Sequence, residues 1–295
     1  MIARARVRTD LTPVHSVSAR IRTALVRVLL YLILIAGAVF VSIPLLWTIS
    51  SSLKDPGDVF LFPPQWIPNP VRWDNYAKAF EQMNFLLAFR NTAIISLGNV
   101  AGSCIAASMA AYGFAFLRFP GRDAIFLVLL STLMLPYTVT LLPQYLMFRA
   151  FGWLDTFLPL IVPTWFGGGV FYIFLIRQFM LRVHREISDA ARVDGCGYFG
   201  IYWRVMLPMV TPALLTVAVF QFIGNWHDFL GPVIYLDSAD HFTLTQQLQR
   251  FQSVYYAEWH LLMAGTVMQI IIPLLLFFFL QRYFIQGLVF SGVKG

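Results

Sequence analysis

Asn225, Trp226, His227 and Asp228 stand together inside the apolar stretch from Val210 to Leu236. A carboxylate at membrane depth costs about 2.5–3.5 kcal/mol on insertion scales, so Asp228 requires a partner or a polar cavity. Two arrangements meet that need. In one, the four residues line a translocation path, with Trp226 stacking on a sugar ring and Asp228 holding hydroxyls. In the other, His227 or Asn225 satisfies Asp228 in a contact between helices or subunits. A third outcome competes with both: Asp228 lies about two turns from the outer end of the stretch and can snorkel to the membrane surface.

The second chemistry-bearing segment runs from Glu186 to Pro208, between two long apolar runs. Read as a helix, its first part places Ile187, Ala190 and Ala191 on one face, with Val193 at the margin and Glu186, Asp189 and Asp194 polar around it. Two alanines flanked by charge form a thin ridge that approaches another backbone closely. Gly195 then lets the chain turn, and Leu207-Pro208 marks the start of the next apolar run. Such an element on a membrane protein points to docking by a soluble partner.

Other groupings carry less. Gly167-Gly168-Gly169 is followed by Val170-Phe171-Tyr172, not by the Lys and Ser/Thr of a phosphate loop, so close helix packing or a local helix break is the expectation. The chain contains no nucleotide-binding motif, which places any energy source on another polypeptide. Cys104 and Cys196 offer no disulfide framework, and the five histidines show no metal-ligand spacing.

The elements that must position these residues are membrane spans. Of 295 residues 59% are hydrophobic and 12% charged; a soluble domain usually carries roughly twice that charged fraction. Apolar runs of about 20 residues cross a bilayer as helix, and six are present: Val28–Ile49, Thr92–Leu117, Ala124–Phe148, Phe157–Met180, Val210–Leu236 and Leu261–Phe284. The fold class is all-α membrane protein with six transmembrane helices. Residues 1–27 form an N-terminal segment, 28–287 the six-helix transmembrane domain with the polar segment at 183–209, and 288–295 a tail. Ala36-Gly37-Ala38 resembles a signal-peptidase site, but it falls in mid-span, which favours a retained anchor. Pro136, Pro143, Pro159 and Pro163 signal either simple kinks or helices broken around a cavity. Between the first two spans, Pro63, Pro64, Pro68 and Pro70 stiffen an extended loop, and Trp73–Phe85 reads as an interfacial helix.

Net charge is +7, but its placement argues against nucleic acid. Arg4, Arg6, Arg8, Arg20, Arg22 and Arg27 crowd one end, and 15 of the 21 Lys and Arg fall on one side of a six-span topology. By the positive-inside rule that side is cytoplasmic and holds both termini and Glu186–Pro208.

Asp189-Ala190-Ala191, Gly195 four residues later and Met206-Leu207-Pro208 resemble the EAA loop of bacterial binding-protein-dependent ABC importer permeases. Ser52-Leu53-Lys54 with Asn75-Tyr76, the Trp226/Asp228-Phe229 group, Gln281-Arg282-Tyr283-Phe284 with Gly287, and the Gly292-Val293-Lys294-Gly295 ending are similar to the carbohydrate-uptake branch, and within it to the maltose-type second permease. Two positions depart: Asp189 replaces the leading Glu, and His227 replaces the Asn usual after the Trp. The resemblance implies a MetI-like permease of the bacterial inner membrane, non-catalytic itself. It implies pairing with a second permease and two ATPase subunits, which bind ATP and Mg, and substrate delivery by an extracytoplasmic solute-binding protein. Glu186, Ile187, Asp189, Ala190, Ala191, Asp194, Gly195, Leu207, Pro208 and Lys294 are then the ATPase-coupling residues.

The expected cargo is a neutral sugar or oligosaccharide, with a glycerol-phosphate-type substrate as the alternative. An ion-coupled secondary transporter would show inverted repeats or several intramembrane ionisable groups; the sequence shows one acid and no repeat. A membrane enzyme would need clustered acids, His pairs or metal ligands, and none are grouped here.

Overall fold

The computed structural model describes the backbone of residues 17–252 and 256–292, and the side chains of 24–252 and 256–281. Among the described residues there is no strand, only an isolated bridge between Gln252 and Ala257. Helices satisfy every backbone group internally, which is why lipid-depth sequence adopts them. The first, α1 (Val17–Ser52), is apolar all round from Val28 to Ile49 and leaves side chains such as Phe40 and Val41 exposed. A short α2 (Asp74–Gln82) lies where the interfacial helix is expected. Then α3 (Phe85–Phe116) begins seven residues earlier than its apolar run, after Asn84 in the left-handed region.

The third expected span is not straight. It divides into α4 (Arg122–Ser131), a 3-10 turn, and α5 (Tyr137–Ala150), bent by 98° at Leu135-Pro136. Pro136 lacks an amide hydrogen and drives Leu135 extended, so the ladder stops there. Pro143 is accommodated inside α5, and breaks nothing. In the fourth span α6 (Leu158–Gly167) opens with Pro159 in its first turn and contains Pro163; α7 (Val170–Met180) follows after Gly168 and Gly169, both at positive φ. A Cβ on Gly168 would stand 2.4 Å from the Ala107 amide nitrogen. The glycines thus give both the helix break and the close packing.

The polar segment folds as α8 (Arg185–Val193), α9 (Tyr198–Ile201), a π turn at Tyr202–Met206 and α10 (Leu207–Met209). A 77° bend then leads into α11 (Thr211–Trp226). The fifth span is helical only to Trp226; after three non-helical residues α12 (Leu230–Tyr235) completes it, followed by α13 (Leu244–Gln249). The last helix, α14 (Trp259–Gly292), runs on past Phe284.

At the centre α3 packs against α6, α7 and α11, while α11 also meets α14 and α14 meets α1 and α2. Close approach rests on small residues, as membrane interfaces require. Gly98 faces Ile161, Gly102 faces Trp165, and the buried Ser96, Ser103, Ala107 and Ala111 follow along α3. Asn99 stitches this interface by donating to the Leu160 carbonyl at 3.0 Å. Two apolar clusters result. One joins α3, α7 and α11 to α8 at one end of the bundle, and the other joins α2, α3, α11 and α14 at the opposite end.

Candidate functional site

The four residues of the fifth span separate sharply. Trp226 is 1% exposed; Phe222 stacks on it at 5.1 Å and Phe89 meets it edge-on at 5.6 Å. It is a packing residue sealed in the core and cannot stack on a sugar, which corrects the path assignment. Asn225 donates back to the Gln221 carbonyl at 2.7 Å, within its own helix. His227 is exposed. Neither side chain partners the Asp228 carboxylate, whose Oδ1 accepts the Gly231 amide at 3.3 Å. The carboxylate is satisfied by the backbone of the helix break itself. Thr245 holds the same turn by donating to the Asp228 carbonyl at 2.7 Å.

Of the four, Asp228 lines a partly open cavity of about 320 Å³ where three interrupted spans meet. Tyr137 and Gln144 reach it from α5, Pro159 and Pro163 from α6, and Gly231 and Tyr235 from α12. The wall therefore offers a carboxylate, an amide and phenolic groups, with no Lys or Arg. Gly231 is required for the carboxylate's position: a Cβ there would stand 2.6 Å from Asp228 Oδ2. Tyr137, Gln144 and Tyr235 lie too far away in sequence for spacing to group them. The signal that could have found them is the meeting of broken spans, since freed carbonyls are tolerated beside a polar cavity.

At the α8 end the geometry redraws the alanine ridge. Ser188 and Ala191 turn inward, 4% and 9% exposed, and Ala191 joins the core beneath the helix. The outward surface carries Ile187 and Ala190, with Val193 88% exposed and Glu186, Asp189 and Asp194 around them. One alanine of the pair thus anchors the helix and the other presents it. Gly195, at φ +85°, ends α8 with the Cys196 amide on the Ala191 carbonyl at 3.0 Å and its own amide on that of Arg192 at 2.9 Å. This paired closure satisfies the last carbonyls and needs the left-handed residue. No heavy atom lies within 4 Å of a Cβ built at Gly195, so backbone strain, not crowding, demands glycine. Leu207 and Pro208 are not brought onto α8; they sit in α10 at the bend into α11. Lys294 lies outside the described residues.

The scattered residues near the first loop prove to be one unit. Asn75 donates to the carbonyls of Ser52 at 2.9 Å and Lys54 at 2.8 Å, and the Ser52 and Tyr76 hydroxyls meet at 2.8 Å. Lys54 is 1% exposed with its ammonium 3.9 Å over the Trp47 ring. Burial lowers its pKa from the ordinary lysine value, a shift that Asp58 opposes.

Among the described residues, four helices are long and apolar enough to cross a membrane, and up to six segments are if each bent pair counts as one span. With a partly open, part-polar cavity between its broken spans and an amphipathic helix at one end, the architecture is that of a multi-span membrane permease. The chain belongs to the family of binding-protein-dependent transport system inner membrane components, whose pattern residues 98–289 match. It is 35% identical over 229 residues to the AraQ arabinooligosaccharides transport permease of Halalkalibacterium halodurans, covering 77% of this chain and 81% of that one. Identity is 32% over 263 residues to the diacetylchitobiose uptake permease NgcG of Streptomyces coelicolor, 88% and 86% of the two chains. Among solved structures, a chain of a bacterial ABC transporter that imports the acidic polysaccharide alginate superposes with a TM-score of 0.76. That match spans 92% of this chain and 100% of that one at 23% identity, and it establishes the fold.

Proposed function

We propose that this chain forms half of the membrane path of an ATP-driven importer of a neutral oligosaccharide. The observation that carries the reading is the cavity at the three broken spans, where Asp228, Gln144, Tyr137 and Tyr235 converge without a cation. Hydroxyl-rich ligands suit such walls, because carboxylate and amide oxygens accept their protons and aromatic faces cover their C–H surfaces. An anion would enter unpaired and pay its full desolvation. Relatives named for arabinooligosaccharide and diacetylchitobiose uptake support the same cargo class.

In this reading a second, related permease supplies the other half of the path. Two ATPase subunits bind ATP and Mg and seat the outward face of α8, and a solute-binding protein docks at the opposite end. The excess of Lys and Arg on one side of the membrane supports a cytoplasmic position for both termini and α8 in a bacterial cell. Ile187 and Ala190 make the close contact, and Glu186, Asp189 and Asp194 set its register. Closing of the ATPases pulls on α8, and the bend at Val210 passes that motion to α11 and so to the break that holds Asp228.

Uptake by the reconstituted complex tests this. Neutral oligosaccharides are expected to be accumulated with ATP and binding protein, and Asp228→Asn with Tyr137→Phe to slow uptake while ATPase subunits stay bound. Saturable uptake of a sugar phosphate, uncompeted by neutral saccharides, would overturn the cargo assignment.

A further inference from the structure

Beside α8 the structure carries a second site, distinct from the sugar path. Residues Arg185, Ser188, Asp189 and Arg192 recur at helical spacing and form the wall of a cleft of about 340 Å³, closed on the other side by Arg118 and Tyr198. A neighbouring hollow of about 430 Å³ shares Arg118 and Arg185 and extends to Gly121, Asp123 and Ala124 at the start of α4. The shared arginines make one continuous basic groove between α8 and the α3–α4 turn.

The charges in it do not cancel. Asp123 is taken by Arg122 at 2.9 Å, and Asp189 lies 4.0 Å from Arg192, whose guanidinium also covers the Tyr198 ring at 4.8 Å. Among the described residues Arg118 and Arg185 have no carboxylate partner. Two free guanidiniums facing one groove match the oxygens of a phosphate group.

The surroundings name the source. The groove opens where α3 leaves its apolar run, beside exposed Phe119, Tyr198, Phe199 and Trp203, a belt of the kind found at membrane–water boundaries. Ala124, on the groove wall, shares a helix face with Leu127 and Val128, three and four residues on and 68% and 66% exposed. A charged groove thus continues into an uncovered apolar strip. A soluble phosphate would use the first and leave the second bare; a phospholipid uses both.

We infer that this groove binds the phosphodiester headgroup of an anionic phospholipid, Arg118 and Arg185 holding the phosphate and the acyl chains lying along the Leu127–Val128 face of α4. Because Arg185, Asp189 and Arg192 belong to α8, an occupied groove braces that helix from behind, on the side away from Ile187 and Ala190. Lipid composition thereby sets how rigidly α8 is held.

The transporter purified through this chain, in nanodiscs of phosphatidylcholine with or without phosphatidylglycerol, provides the test. Native mass spectrometry is expected to show phosphatidylglycerol retained in preference to phosphatidylcholine, and thermal unfolding to shift upward with it. Arg118→Gln with Arg185→Gln should weaken that preference on the order of tenfold or more. The doubly Lys-substituted protein should keep most of it, which guards against a folding defect. The exposed Arg149, at the other end of the bundle, serves as control, and Arg149→Gln should change nothing. Equal retention in the double Gln variant, an equal loss in Arg149→Gln, or the same thermal shift from inorganic phosphate alone would each overturn the lipid site.

Discussion

The indole N–H of Trp226 donates to the main-chain carbonyl of Gln269 at 3.0 Å, and the Gln269 side-chain amide donates back to the Trp226 carbonyl at 3.2 Å. Each helix supplies what the other lacks. Within α14 the Gln269 carbonyl would accept from residue 273, but Pro273 has no amide hydrogen. At the end of α11 the Trp226 carbonyl has lost its helical donor because the chain unwinds into His227 and Asp228. A proline in one span and a break in another are thus satisfied by a single reciprocal contact.

Trp226→Phe keeps the ring stack but leaves the Gln269 carbonyl orphaned at a buried site. A loss of about 1–3 kcal/mol is expected, read as lower thermal stability. In a Pro273→Ala background the helix regains its own donor, and the same substitution should cost clearly less. Equal losses in both backgrounds would show that the indole bond is not compensating for the proline.

This contact also marks the limit of what sequence can reveal. The number of spans was legible, because about 20 apolar residues in a row admit one solution in a bilayer. So was the amphipathic α8, whose acids and alanines repeat at helical spacing. The break after Trp226 was not, because Asn225, His227 and Asp228 look alike as intramembrane polar residues until packing gives each a different environment. Nor could spacing tell Ala190 from Ala191, since the choice depends on which side of α8 meets the core. Tyr137, Gln144 and Tyr235 come together only through two bends that depend on tertiary contacts.

Gly168 offers a direct check on the packing between α3 and the α6–α7 break. Its φ is +60°, and a Cβ there would collide with the Ala107 backbone. Gly168→Ala should destabilise by about 1–3 kcal/mol from overpacking, with backbone strain in addition. Gly167, one residue earlier, has nothing within 4 Å of a built Cβ. Gly167→Ala should be neutral or slightly stabilising. Thermal unfolding of both variants in detergent decides the matter, and equal stabilities would mean the close approach is not maintained.

Ala190 and Ala191 predict opposite consequences for one substitution. Ala191→Trp forces a ring into the core under α8, so folding yield and thermal stability should fall, by about 1–3 kcal/mol or more. Ala190→Trp points outward and should leave the folded chain stable while preventing ATPase subunits from co-purifying. A complex carrying Ala190→Trp that assembles and transports at the normal rate would remove α8 from the coupling role.

Asp155 ties the α5–α6 connection to the segment after α12, and its charge predicts a pH dependence. Its Oδ1 accepts the amides of Asp237 at 3.0 Å and Ser238 at 2.9 Å and lies 3.1 Å from His241 Nδ1, while Oδ2 accepts the Ser238 hydroxyl. The Ser238 hydroxyl and amide, with His241 and the Asp237 amide adding to them, hold the carboxyl well below the usual carboxylate range. A depressed folded pKa contributes stability that is fully present above the unfolded value, roughly 3.9 for aspartate. It is lost as pH falls from there through the folded value. The tether should therefore be constant from neutral pH down to about 5 and weaken only below about 4. Amide exchange at residues 237 and 238, corrected for intrinsic rates, reads it directly. Asp155→Ala should abolish protection at every pH, and Asp155→Asn should keep part of it, since an amide oxygen still accepts but without charge. Protection that already fades between pH 7 and 5 in the unmodified protein would show that the Asp155 carboxylate does not hold the segment.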